Sequence, residues 1–279
     1  MYKQLKIILI LFSVTFVSCT KFVWEDRSEC PCILTLDLSN VDKNVSELHL
    51  WIFGEDNSIL SRDTIAPDRF GGTYDVLIKR EMVKYYVWGN IKGATKLQDN
   101  LTLNSTLTKV ENSSADSLYH YSKQLNTNFE SQTDTVLLNK EFISVNVTLK
   151  STVSKFDKIS LEMYGNSAGF YIDKRFIGGI GKITCVPDGN NKENNTVFKY
   201  RLTRQEYLQD ISIVIIVTTR QGIPIVLTDF PLGNYLQENG YNMQAKNLSD
   251  IKIDMDLSAN IITIKVDNWQ VTVPGNIEI

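Results

Sequence analysis

Histidine is almost missing from this 279-residue chain, which has only His49 and His120. Neither stands at a spacing that binds a metal or activates a nucleophile, so imidazole-based metal sites and Ser–His or Cys–His relays have little to build on. Cysteine is also scarce, at four residues: Cys19, Cys30, Cys32 and Cys185. "CPC" at 30–32 lacks both the ligand spacing and the second pair that zinc requires. A large charge of one sign is absent too. Twenty-nine basic and 32 acidic residues leave −3, which excludes a nucleic-acid footprint and a polybasic membrane patch. After Val17 no apolar run exceeds strand length, so no second membrane span is expected. There is no Gly-x-Ser-x-Gly, P-loop or dinucleotide fingerprint. "GGIG" (178–181) reads as a turn, because no helix follows it to hold a phosphate. These absences point to a protein without catalytic centre or cofactor.

What is present begins at the N-terminus. Lys3 and Lys6 precede an apolar stretch from Ile7 to Val17, broken only by Ser13 and Thr15. Its length suits a signal-peptide core and falls short of the roughly 20 residues that span a bilayer. Phe16 and Ser18 before Cys19 resemble a bacterial lipobox. The resemblance implies cleavage after Ser18 and acylation of Cys19, because a thiolate can accept the lipid. Several acyl chains at ~0.8 kcal/mol per buried methylene would hold the chain stably on a membrane. The Asn-x-Ser/Thr triplets at Asn44, Asn100, Asn104, Asn112, Asn146, Asn194 and Asn247 are discounted as products of an Asn-rich composition.

The rest reads as strands. "ILTLDLS" (33–39) alternates Leu34, Leu36 and Leu38 against Ile33, Thr35 and Asp37, a period of two with one apolar face. "ELHLWIFG" (47–54), "SILSRDTI", "GGTYDVLIKR" (71–80) and "KYYVWGNI" (84–91) follow. Residues 92 to 140 are polar and read as a long loop excursion with room for a short helix at "SLYHYSKQL" (117–125). A second strand series runs from "EFISVNVTLK" (141–150) to "IITIKVDNWQVTV" (261–273). Within it "ISIVIIVTT" (211–219) lacks polar alternates, so it is expected to be central and covered on both faces. Short helices are expected after Thr203, where Glu206 completes a capping-box spacing, and over "PLGNYLQEN" (231–239) before Gly240. Strands every 8–12 residues with turn signals between them give an all-β fold of two β-sandwiches joined near residue 140. The expected organisation is a signal peptide (1–18), a lipidated linker (19–29), an N-terminal sandwich (30–140) and a C-terminal sandwich (141–279).

Candidate chemistry is thin. Asp254 and Asp256 share a strand face, but Ile251, Ile253, Met255 and Leu257 fill the other so regularly that the acids read as its solvated side. Tyr85, Tyr86, Trp88, Tyr164, Phe170 and Tyr171 could form a sugar platform, though strand aromatics more often pack in cores. A Cys30–Cys32 bond would close a strained ring across Pro31. Either one could pair with Cys185 in an oxidising compartment, or all could remain free.

"CPCILTLDLS", "YYVWGNI", "FPLGNYLQENGY" and "IKIDMDLSANIITIKVDNWQV" together resemble the fimbrial anchor family of Bacteroides-type (type V) pili, over roughly residues 19 to 273. The resemblance implies two tandem transthyretin-like Greek-key sandwiches, an acylated N-terminus, and a role in fixing a fimbria to the outer membrane. It also implies assembly by strand addition with fimbrial stalk subunits. Lys21 and Arg27 are the cleavable basic residues between Cys19 and Cys30, so the first strand is expected to stay in its own sheet. "VTVPGNIEI" (271–279) is a candidate donor strand through Val271, Val273, Ile277 and Ile279, with a last edge strand as the alternative. An acidic export signal would directly follow the cysteine in a surface lipoprotein, whereas here the acids begin at Glu25 and Asp26. Asp63-Thr64-Ile65, Asp116-Ser117-Leu118 and Asp134-Thr135-Val136 look like O-glycosylation triplets of that phylum. Competing readings are a surface glycan-binding lipoprotein and a fimbrial tip adhesin.

Overall fold

The computed structural model describes residues 30–98, 101–150, 156–179, 181–185, 187 and 195–275. The chain is all-β with one short α-helix among the described residues. The first half supplies β1 (Cys32–Asp37), β2 (Leu48–Phe53), β3 (Ile59–Ile65), β4 (Thr73–Ile78), β5 (Met82–Gly89), β6 (Thr95–Leu97), β7 (Thr106–Lys109), β8 (Tyr119–Asn126), β9 (Ser131–Thr135) and β10 (Asn139–Lys140). The second supplies β11 (Phe142–Lys150), β12 (Phe156–Tyr164), β13 (Ser167–Tyr171), β14 (Phe176–Gly178), β15 (Ile183–Cys185), β16 (Asn195–Thr203), β17 (Ser212–Thr219) and β18 (Pro224–Phe230). Helix α1 (Leu232–Glu238) and strands β19 (Ile251–Asp256), β20 (Ile261–Val266) and β21 (Trp269–Pro274) complete it.

Period-two alternation explains the first core. Cys32, Leu34 and Leu36 of β1 are fully buried, while the alternate Ile33 is 43% exposed. The sheet β4–β1–β9 packs this face on Leu48, Leu50 and Ile52 of the sheet β10–β8–β5–β2–β3. The opposite face of β2 and β5 is equally apolar, with Trp51, Phe53, Tyr86 and Trp88, and needs a cover of its own. A third sheet, β14–β13–β7–β6, provides it through Leu107 and Phe170. That sheet joins both halves of the chain, since β13 pairs antiparallel with β7. Gly169 permits the pairing: its φ is +154°, and a Cβ there would lie 2.0 Å from the Leu107 carbonyl oxygen.

In the second half, β16–β11–β19–β20–β21 packs on β15–β12–β17–β18 around Ile143, Val145, Leu161, Ile213, Ile215 and Ile253. Helix α1 lies where "PLGNYLQEN" predicts it, and Gly240 at φ +72° follows its end.

Four expectations are corrected. The 92–140 excursion carries five strands, β6 to β10: "SLYHYSKQL" contributes to β8, whose Tyr119, His120 and Leu125 are buried against β5 and its neighbours. Ser122, Lys123, Gln124 and Asn126 of β8 are exposed and hide the alternation from a composition reading. No helix follows Thr203, because Arg204 and Gln205 are fixed inward by hydrogen bonds that a helix would break. The segment 261–273 is a hairpin, with Asp267 at φ +44° turning β20 into β21. Strand β17 is interior to its sheet, but only Ile213, Ile215 and Val217 are core residues; Val214 and Ile216 on its other face are half-buried.

Candidate functional site

Two features of the chain are built from the residues upward: the junction between the halves and the state of the strand edges. Glu141 opens the second half and is fully buried. Its carboxylate accepts from Arg204 Nε at 2.5 Å and pairs with Lys174 Nζ at 2.7 Å. The Arg204 guanidinium also donates to the carbonyl oxygens of Met243, Lys140 (2.9 Å) and Ala245 (2.9 Å). Backbone bonds tie the same point together, from Glu141 N–H to Leu118 O and from Arg204 N–H to Glu141 O. A buried charge is tolerable only when paired and hydrogen-bonded like this. His120 packs beside it, its ring 4.5 Å from Trp88, and its Nε2 finds no hydrogen-bond partner among the described residues. Burial, then Lys174 and Arg204, pushes the His120 pKa down to about 3, so the ring is neutral at ordinary pH. Nearby, Gln205 Oε1 accepts from Asn166 N–H at 2.6 Å and Ser167 N–H at 3.0 Å, holding the start of the β13–β14 hairpin.

Sequence reading missed this cluster. Its only signal is the placing of Glu141 and Arg204 at the edges of apolar strands, where an unpaired charge would be costly. Asp134 was missed in the same way. It accepts from Tyr85, Tyr121 (2.8 Å) and Lys123. Burial would raise its pKa, but these hydrogen bonds outweigh that and hold it low.

The edges come next. Strand β1 is interior, antiparallel to β4 and parallel to β9, so the first strand occupies its own sheet. At the other end, Val271 and Val273 lie in β21, which among the described residues pairs only with β20 and is the edge of its sheet. Both valines are half-buried against the core. Gly275 closes the strand, its N–H donating to Asn260 O and its carbonyl accepting from Thr228 Oγ1 at 3.2 Å. Ile277, Ile279, Cys19, Lys21 and Arg27 lie outside the described residues.

Cys30, Cys32 and Cys185 carry free thiols in this structure; Cys30 is exposed, Cys32 belongs to the first core and Cys185 to the second. Of the six candidate platform aromatics, Tyr85, Tyr86, Trp88 and Phe170 are buried, and Tyr164 and Tyr171 are half-buried. Asp254 pairs with Lys265 at 3.0 Å, and Asp256 caps the turn at Ser258 and Ala259. No acid–acid pair results. Of the three glycosylation triplets, Thr64 is exposed, while Ser117 and Thr135 are half-buried.

No curated protein sequence matches the chain significantly. Among solved structures, the fimbrial anchor protein Mfa2 of Porphyromonas gingivalis superposes with a TM-score of 0.62 at 12% identity, covering 87% of this chain and 99% of that one. A DUF1812 protein of Bacteroides thetaiotaomicron, a candidate polysaccharide-binding protein, gives 0.65 at 15% identity over 88% and 100%. A candidate adhesin of Bacteroides ovatus gives 0.65 at 13% identity over 88% and 96%. Identities this low establish a shared fold and nothing finer. The family model for fimbrillin-A associated anchor proteins Mfa1 and Mfa2 matches residues 27–273, nearly all of the sequence. The chain therefore belongs to the Mfa2 family and is a fimbrial protein.

Proposed function

We propose that this protein is a non-enzymatic anchor, fixing a fimbria to the outer membrane through lipid on Cys19 and joining the first stalk subunit by strand addition. Two sandwich domains meeting near residue 140 would carry the load between these ends. The observation that carries the reading is the position of β1, bonded on both sides by β4 and β9. With β1 in place its sheet offers no groove, so this end suits the base of a fibre and not its interior. The lipid would then remain joined to the folded chain through residues 19–31. At the other end, β21 is an edge strand with apolar alternates at Val271 and Val273, and Ile277 and Ile279 would extend that spacing as a donor. Pro274 ends β21 opposite Ile261, which confines donation to the residues beyond it.

The test is Cys19→Ala in cells that make fimbriae. The expected result is fimbriae shed into the medium; fimbriae retained on the cell would overturn anchoring. Deleting residues 274–279 addresses donation separately. Attachment unchanged by the deletion would remove the donor role and leave the lipid role standing.

A further inference from the structure

The outward face of the sheet β4–β1–β9 changes character along its length, and attachment through a tether alone does not account for the change. Register places Ile33 of β1 beside Leu77 of β4 and Ser131 of β9. The same face continues through Thr35, Asp75 and Thr133 to Asp37, Thr73 and Thr135. That far end is polar throughout, and Thr35 Oγ1 donates to Asp75 Oδ1 at 2.6 Å. The near end is apolar. Leu77 is 68% exposed and Ile33 43%, although the two stand opposite each other in the ladder. Phe129 is 59% exposed at the same end, one residue before Glu130, whose carbonyl accepts from Ile33 N–H at 2.9 Å. Pro31 is exposed as well. Lys79, which pairs with Glu81 at 3.3 Å, and Arg80 are matched in number by Glu81 and Glu130, so these side chains add no net charge there. Single exposed apolar residues are ordinary, but three large ones gathered at one end of an otherwise polar face are not. This end is also where the chain enters the fold. Cys30 and Pro31 lead directly into β1, so the tether of residues 19–29 attaches at the patch. Fully extended, that tether spans at most about 40 Å.

We propose that this end of the first sandwich rests on the lipid bilayer, with Ile33, Leu77 and Phe129 entering the boundary between headgroups and acyl chains. The inference rests on the reading of Cys19 as lipidated, and adds that the folded body touches the membrane as well as the tether. Three side chains bury too little apolar area to hold a protein on a membrane by themselves. A short tether keeps them at high local concentration beside the surface, so a weak contact persists. A second copy of the chain is a poorer occupant. A stable dimer takes roughly 20–30 residues a side, far more than this rim offers. Membrane contact at the patch would fix the tilt of the first sandwich, which a tether alone leaves free.

The test uses the full lipidated chain in vesicles of phosphatidylethanolamine and phosphatidylglycerol. Cys30→Ser removes the exposed native thiol, and a nitroxide is attached at Leu77→Cys or at Thr73→Cys. Both positions are exposed on β4, so neither change should disturb folding. On vesicles the label at position 77 should lose most of its collisions with a water-soluble nickel chelate and gain collisions with oxygen. The label at position 73 should stay as accessible as it is in solution. Equal accessibility at the two positions would overturn the proposal and leave lipid anchoring standing. A lipid-free chain that fails to float with vesicles at all would overturn both. In the unlipidated Cys19→Ala chain without vesicles, position 77 should be fully open to the chelate. Protection there would assign the patch to the apolar stretch Phe22–Trp24 or to a second copy, and would count against the membrane.

Discussion

The Arg204 Nε lies 2.5 Å from the Glu141 carboxylate, and the two side chains are 3% and 0% exposed. One residue begins the second half of the chain; the other follows β16 and reaches the carbonyls of Lys140, Met243 and Ala245. The pair therefore fastens the connection between the two larger cores to the loop at 243–246. Removing one partner leaves a buried charge uncompensated. Arg204→Met or Glu141→Leu is expected to cost about 3–5 kcal/mol, read as a lower urea midpoint. The double variant should cost clearly less than the sum, because neither charge is then stranded. Additive losses would show that the pair is not coupled.

His120 makes stability depend on pH. Its folded pKa, about 3, lies below the ordinary value of 6.5, so the unfolded chain binds a proton that the native one refuses. Its contribution is therefore whole above about pH 6.5 and is lost as pH falls toward 3, at about 1.4 kcal/mol per unit. His120→Leu should flatten the wild-type slope between pH 6 and 4 in urea titrations. An unchanged slope would assign the acid sensitivity to other groups.

Cysteine reactivity should be graded by burial. Burial pushes the Cys185 thiol up to about 12 and raises that of Cys32, so neither offers a thiolate near neutrality. Iodoacetamide on the native protein at pH 8 should label exposed Cys30 and spare the other two until urea is added. Failure to label Cys185 even in urea without reductant would reveal a disulfide.

Gly169→Val should be among the most damaging single changes. The backbone there has positive φ and passes against Leu107 O, so a side chain meets strain and collision together. The loss should exceed about 3 kcal/mol. Hydrogen exchange should then rise first in β7 and β13, uncovering Trp51 and Trp88, with the second core still protected. Protection lost uniformly would mean that the third sheet has no separate stability.

The strands themselves were legible. The alternation in "ILTLDLS" places Leu34, Leu36 and Leu38 inward, and the structure buries all three. "ELHLWIFG" is apolar on both faces, a sign that two covers are needed, but nothing local says what supplies the second. The polar stretch 92–140 was misread because strand propensity is weak where one face is solvated, and pairing with β5 overrides it.

Sequence alone determined the strand periodicity and the short helix before Gly240, because each follows from side chains at most a few positions apart. Tertiary structure alone decided that hairpin 167–178 covers Trp51 and Trp88, that Glu141 meets Arg204, and that Cys32 and Cys185 lie in separate cores. Those contacts join residues tens of positions apart. Which distant partner a buried tryptophan or carboxylate finds depends on how sheets stack, and chain order does not encode that locally.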